Sequence, residues 1–339
     1  MRAQETKKTI RSAFIGYGAA FNMGKYHHDL MSKAGTFELV AACDVDRARV
    51  EAAKQDFPGI RGFASPSSLL RWGEFDLAVI ITPHNTHARL AVQFLNAGKH
   101  VIVEKPMCIS AKEATDMIQA AKKAGVMLST FHNRRWDGDH LAMKDVIAKG
   151  LIGEPFRLEV GGGGYGHPGR WWRSDKRISG GCLYDWGAHL VDWVLQLTPG
   201  KVKSVTGFSQ KRVWHDVTNE DELQALILFE SGAVADVQVS HIQKIGRPRW
   251  RILGEKGGIL DPDGRESFRV VTDVQGIPAE MQVKHYPGRH EKFYQNISDH
   301  LLKGKPLAVT PESARRVIAV IEAAGKSAQL GRAVPVPYE

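Results

Sequence analysis

The feature that most limits the fold is the rhythm of the first 131 residues, where short β-rich apolar runs alternate with segments of helical periodicity. Strands are predicted at 9–15, 38–43, 77–82, 100–103 and 127–131, and helices at 24–34, 46–56, 86–97 and 110–124. Leu90, Ala91, Phe94 and Leu95 form one apolar stripe, Ser110 stands where a helix cap is needed, and Gly98 and Gly125 supply stops. Parallel strands need helical crossovers, so this alternation implies a parallel sheet covered by helices.

After Phe131 the rhythm changes. A helix at 139–149, a strand at 155–161, a Gly-rich loop and a helix at 183–197 precede strands at 202–209, 222–230, 233–241, 248–254 and 267–273. No crossover helices separate these last strands, which points to antiparallel pairing, and a closing helix is predicted at 311–328. At 339 residues the chain is long enough for two cores. The expected fold is α/β: an N-terminal dinucleotide-binding unit at 1–131, and a C-terminal α+β unit at 132–339 with a large, mostly antiparallel open sheet for substrate binding and oligomerisation.

The net charge of +9 comes from dispersed Lys and Arg rather than a basic stripe, so no nucleic acid is expected as partner. Apolar stretches such as 77–81 and 101–103 are too short for a bilayer, and Met1 to Lys8 lack an apolar signal core, which excludes a membrane partner and predicts a cytoplasmic protein. Cys43, Cys108 and Cys182 are odd in number and scattered, and are read as buried fillers in a reducing compartment. His27-His28 and the other histidines have no metal-ligand spacing, so no metal is expected.

The first predicted strand runs into Gly16-Tyr17-Gly18-Ala19-Ala20-Phe21. Two glycines there permit a tight turn and let the backbone approach a pyrophosphate at a helix N-terminus, the Rossmann arrangement. Phe21 stands where Gly or Ala is usual, which lengthens the turn and puts the helix start nearer Gly24. Asp44, ending the second strand, is placed to bind the adenosine ribose hydroxyls and would repel a 2′-phosphate, so NAD is favoured over NADP, although Arg47 partly offsets that repulsion. The alternative role for Asp44 is a cap for the helix at 46–56.

Thr82-Pro83-His84-Asn85-Thr86-His87 and Val103-Glu104-Lys105-Pro106 follow two later strands, at the carboxyl edge where open α/β sheets bind ligands. Further on come Trp171-Trp172-Arg173 and the run from Gly180 to His189, with Asp185 four residues before His189. On these motifs the chain resembles the Gfo/Idh/MocA oxidoreductases along essentially its whole length, departing at Phe21 and at His84-Asn85, where Asn usually follows the Pro directly. The resemblance implies that Lys105 contacts the reacting substrate, that Asp185 and His189 complete the catalytic set, and that subunits pair as a homodimer or homotetramer. It also implies cofactor contacts at Gly16, Gly18, Ala19, Ala20, Phe21, Asp44, Thr82, Pro83, His84, Asn85, His87, Glu104, Lys105, Asn133, Arg134, Trp172 and Arg173.

Oxidising a secondary alcohol needs a base for the hydroxyl proton and a group that stabilises the developing alkoxide. An imidazole titrates near about 6.5, which suits His189 as base, while the Lys105 cation suits the alkoxide or is itself the base. Residues 185, 189 and 192 share a helical face, so Asp185, His189 and Asp192 are expected in one pocket, with Trp186, Leu190, Trp193 and Leu197 on the core face. Tyr165, His167, Trp172 and Arg173 offer flat apolar faces and donors for a sugar ring. The leading expectation is an NAD-dependent sugar or polyol dehydrogenase. A redox-neutral lyase or glycoside hydrolase working through a transient keto-sugar is the second, and a non-catalytic ligand-binding regulator the third.

Overall fold

The computed structural model describes residues 9–18 and 20–338. They divide into two compact units, the first reaching Cys108 and adding Lys112–Asn133 and His290–Ala314, the second made of Ile109–Ala111, Arg134–Arg289 and the chain from Arg315 on.

In the first unit the chain runs β1 (Ile10–Ile15), α1 (Met23–Ala34), β2 (Phe37–Cys43), α2 (Arg47–Asp56), β3 (Arg61–Phe63), α3 (Pro66–Trp72), β4 (Leu77–Ile80), α4 (His87–Asn96), β5 (His100–Val103), α5 (Ala111–Ala124) and β6 (Leu128–Thr130). Among the described residues the sheet has order β3-β2-β1-β4-β5-β6, and all its pairs are parallel. The order reverses beside β1, which opens a crevice at the carboxyl ends of β1 and β4. Phe14, Val79, Phe94 and Ile102 are fully buried in the layers, each contributing about 1.5–3 kcal/mol. Gly98 and Gly125 take the left-handed conformation just past α4 and α5, as helix stops do. The short β3 and α3 carry too few periodic residues to stand out in the sequence.

The second unit holds α6 (Gly138–Ala148), β7 (Pro155–Gly163), a short α7 (Lys176–Ser179), α8 (Cys182–Leu197), β8 (Val202–Gln210), β9 (Glu222–Phe229), β10 (Val234–Ser240), β11 (Trp250–Gly254), β12 (Gly257–Asp261), β13 (Ser267–Val274) and β14 (Ile277–Lys284). Its eight strands run β14-β13-β12-β11-β7-β10-β9-β8 among the described residues, antiparallel except for β7 beside β10. Strict alternation buries Leu223, Ala225, Ile227 and Phe229 of β9 on one face, and α8, whose Leu190, Trp193 and Val194 are buried, packs on this sheet mainly at β10 and β7. The strand predicted from 248 begins at Trp250, since Pro248 lacks the N–H that a ladder needs. β12 and β14 were not expected, and β14 escapes notice because as an edge strand it buries little.

The chain then forms α9 (Glu291–Lys303), which packs on α1 within the first unit, and α10 (Pro311–Leu330). Cys43, Cys108 and Cys182 are buried free thiols, as expected. No helix among the described residues is long and apolar enough to cross a membrane.

Candidate active site

In the first unit, β1 ends in Gly16, whose φ is +90° and whose N–H donates to the Cys43 carbonyl (2.8 Å). A Cβ at Gly16 would lie 2.9 Å from the Ile81 carbonyl oxygen and 2.9 Å from Thr82 Cγ2, so glycine alone fits this approach of β1's turn to the end of β4. The Tyr17 N–H donates to Asp44 Oδ2 (2.7 Å), its hydroxyl to Asp56 Oδ2 (2.7 Å), and Lys25 closes the network on Asp56 (2.9 Å). The Tyr17 ring also lies over Gly24, where a Cβ would meet Cε2 at 2.3 Å. Phe21 is exposed, and α1 starts at Met23 without a side-chain cap, close to the expected Gly24. Its first-turn amides and the shaved surface of Gly16 fit a dinucleotide pyrophosphate. Ala19 lies outside the described residues; Ala20 is exposed in the same turn.

Asp44 is not the cap of α2. That role belongs to Asp46, whose Oδ1 accepts the Ala48 N–H (2.9 Å), while Asp44 Oδ1 accepts the Asp46 N–H (3.0 Å). Asp44 is thereby fixed by two backbone amides at the end of β2.

At the ends of β4 and β5, Thr82 and Thr86 share a hydroxyl hydrogen bond (2.6 Å), and Thr86 Oγ1 donates to the Pro83 carbonyl (2.6 Å), folding 82–87 into a tight turn that holds Asn85. His84 is buried, with its ring centroid 5.8 Å from that of His87. Both His87 ring nitrogens lie 2.8 Å from carbonyl oxygens, of Pro106 and Thr82. Burial holds the His87 pKa below its ordinary value, so the neutral ring donates to one carbonyl at a time and ties the two loops together. Lys105 precedes a cis bond to Pro106 and gives its N–H to Glu104 Oε2 (2.9 Å). Glu104 is buried, with its other oxygen 3.0 Å from His27 Nε2. Asn133 Nδ2 donates to the Tyr26 hydroxyl (3.3 Å). Neither His27 nor Tyr26 was singled out in the sequence as a site residue, because the contacts cross from α1 to distant strand ends.

In the second unit, the left-handed Gly180 and Gly181 lead into α8. Asp185 Oδ1 accepts from Arg173 Nη1 (2.5 Å), and the Arg173 guanidinium also lies over Trp172 (4.9 Å) and Trp171 (5.4 Å). His189 is buried one turn on, its ring 5.8 Å from Trp186 and 6.4 Å from Trp193. Two expectations for α8 are corrected. Asp192 leaves the pocket group for a buried ion pair, accepting from Arg135 Nε (2.9 Å) and Nη2 (2.6 Å). Trp186 is 41% exposed rather than core, since at the first turn of α8 its ring is met by the Arg134 guanidinium (4.7 Å), itself paired with Asp137 (2.8 Å).

The loop residues group around Trp214, which the sequence reading passed over. Its ring is 5.7 Å from Tyr165 and 5.1 Å from His167. His167 and Arg170 pair with Asp216, and their hydrogen bonds hold the Asp216 carboxyl down to about 2. His241, after β10, is another unanticipated neighbour: burial pushes its pKa down against the opposing charges of Asp185 and Asp221, which places it within electrostatic reach of Asp185.

Residues 10–132 match the family described as "Oxidoreductase family, NAD-binding Rossmann fold", and residues 140–260 match the "GFO/IDH/MocA C-terminal domain". The chain is similar to scyllo-inositol 2-dehydrogenase (NADP(+)) IolW of Bacillus subtilis, at 26% identity over 100% of this chain and 99% of that one. It is likewise similar to myo-inositol 2-dehydrogenase of Thermotoga maritima, at 26% identity over 96% and 98% of the two chains. A solved structure of an NAD-binding protein from Listeria innocua superposes with a TM-score of 0.86 at 30% identity, over 97% of each chain. With both halves matched and the nucleotide turn in place, the chain belongs to the Gfo/Idh/MocA family of NAD(P)-dependent oxidoreductases.

Proposed function

We propose that this oxidoreductase moves a hydride between a secondary alcohol of a sugar or polyol and NAD. The observation that carries the reading is the pairing of Asp185 and His189 one turn apart on α8, with Asp185 already oriented by Arg173. The inositol dehydrogenases among its relatives support a polyol as the substrate class. Bound nicotinamide supplies the hydride acceptor or donor. Hydride can leave the carbinol carbon only as the hydroxyl proton departs. His189 takes that proton, Lys105 stabilises the oxygen as it becomes an alkoxide, and Asp185 binds a neighbouring hydroxyl. Tyr165, His167, Trp172 and Arg173 hold the ring of the substrate. Asp44, fixed by the amides of Tyr17 and Asp46, binds the ribose hydroxyls and disfavours a 2′-phosphate.

The protein is further read as a cytoplasmic homodimer or homotetramer. Its free thiols support a reducing compartment, and the side of the eight-stranded sheet away from α8 offers a face for subunit pairing.

The test is a panel of inositols, aldoses and anhydrosugars with NAD+ and NADP+, read by absorbance of the reduced nucleotide against product formed. Reduced nucleotide should accumulate in step with product; product over many turnovers without it would replace net oxidation by the redox-neutral reaction. NAD+ should bind at least about tenfold more tightly than NADP+, a gap that Asp44→Ala narrows, and equal affinities would remove Asp44 from the choice. Lys105→Ala and His189→Ala should each lower turnover about a hundredfold or more, and the His189 variant should also lose the acid limb of the pH profile.

A further inference from the structure

Behind Lys105 the first unit contains a chain of buried polar groups that no part of the proposed chemistry uses. Tyr294 of α9 places its hydroxyl 2.7 Å from His27 Nδ1, His27 Nε2 lies 3.0 Å from Glu104 Oε1, and Glu104 Oε2 accepts the Lys105 N–H at 2.9 Å. Tyr294 and His27 are both fully enclosed, Glu104 nearly so, and Phe131 packs 4.2 Å from the His27 ring. The chain does not reach solvent through Tyr294, so it is no proton exit.

The direction of each bond follows from the charges. Burial opposes ionisation of Glu104, but the His27 hydrogen bond, with the Lys105 cation beside it, outweighs burial and holds the carboxyl below its ordinary pKa. A carboxylate only accepts, so His27 Nε2 donates to it. Burial raises the Tyr294 phenol well above its ordinary value, which keeps the hydroxyl protonated and able to donate to His27 Nδ1. Every group in the chain thus has one satisfied direction, and it terminates on the backbone of Lys105. An adjoining pair repeats the pattern, with the Tyr26 hydroxyl on His290 Nδ1 and Asn133 Nδ2 on that hydroxyl.

We propose that His27 and Tyr294 are positioning residues for Lys105, acting through the Glu104 carboxylate to fix the backbone that carries the ammonium group. The inference rests on the reading of Lys105 as the alkoxide-stabilising group. Polar chains of this kind specify geometry when every member is satisfied, and loosening a supporting contact degrades catalysis more than binding.

The test compares wild-type protein with His27→Leu, His27→Gln and Tyr294→Phe. Glutamine can donate to Glu104 and accept from Tyr294, whereas leucine can do neither. Exchange of the Lys105 amide is followed by NMR, NAD+ affinity by calorimetry, and kcat on the fastest polyol of the panel. In His27→Leu the amide should exchange about tenfold faster and kcat should fall about tenfold, while the NAD+ Kd stays within about threefold. His27→Gln should bring both back to within about threefold of wild type. Unchanged exchange and kcat in His27→Leu would overturn the proposal. So would a glutamine variant as impaired as the leucine one, or a loss of NAD+ affinity in proportion to kcat. If His27→Leu does not fold, Tyr294→Phe decides, with an expected shift of about threefold in both readouts and refutation if neither moves. Full turnover in Lys105→Ala would defeat the role of Lys105 itself, and amide exchange in the His27 variants would still report whether His27 acts on residue 105.

Discussion

His140 on α6 should make the protein acid-labile in a measurable way. Its ring is fully buried, stacks on Trp193 at 6.0 Å and 24°, and finds no hydrogen-bond partner for either nitrogen among the described residues. Burial, aided by Lys144 and Arg135 and opposed by Asp192 and Asp137, lowers its pKa to about 3. In the unfolded chain the same group titrates near about 6.5. The folded value lies below the unfolded one, so between them the unfolded state binds the extra proton; the stabilisation is complete above the unfolded value and is lost as pH falls toward the folded one. One proton corresponds to about 1.4 kcal/mol per pH unit, or about 2 kcal/mol between pH 7.5 and pH 5. His140→Leu removes the titrating site, fills a similar volume and leaves no unpaired nitrogen. Urea unfolding should find the two proteins within about 1 kcal/mol at pH 7.5. At pH 5 the leucine variant should have gained about 2 kcal/mol on wild type. His87, His100 and His241, whose pKa values are also lowered by burial, are common to both proteins and cancel in the difference. If wild type and variant lose stability in parallel from pH 7.5 to 5, the assignment of a proton-excluding site at His140 is wrong.

The other predictions concern the two units separately. Asp192→Ala would strand Arg135 in the interior and should cost about 3–5 kcal/mol in urea unfolding; a loss under 1 kcal/mol would show that Arg135 reaches water. Gly24→Ala sets a methyl 2.3 Å from the Tyr17 ring, so the ring and its hydroxyl contact with Asp56 must give, loosening the turn whose Tyr17 N–H holds Asp44. It should cost about 1–3 kcal/mol and weaken NAD+ binding, and a calorimetric Kd equal to wild type would separate the Tyr17 network from the nucleotide site.

How far the sequence could be read depended on how local the signal was. β1, β5, α4 and α5 were legible because their periodicity and stops lie within a dozen residues. The Gly16 turn, the Glu104-Lys105-Pro106 segment and the Asp185 to His189 spacing were legible as contiguous motifs. Residues whose role depends on a remote partner were not. His27 was weighed only as a metal ligand and set aside for want of ligand spacing, although Glu104 and Tyr294 give it two partners 77 and 267 residues away. Trp186 and Asp192 were assigned by helical phase alone, and phase cannot reveal that Arg134 and Arg135, from before α6, claim them. α9 was missed although Phe293, Tyr294 and Ile297 form its buried stripe.

The return of residues 290–314 to the first unit makes the nucleotide-binding half discontinuous along the chain. During synthesis, the β1–β6 sheet is complete once Thr130 has emerged, yet His27, Tyr26 and Phe131 must wait for some 160 further residues before α9 can cover them. A fragment cut after Asn133 would carry every nucleotide motif of the first unit but leave an imidazole and aromatic faces open to water. Transplanting this cofactor module into another protein would therefore require carrying the α9 segment with it as a second piece.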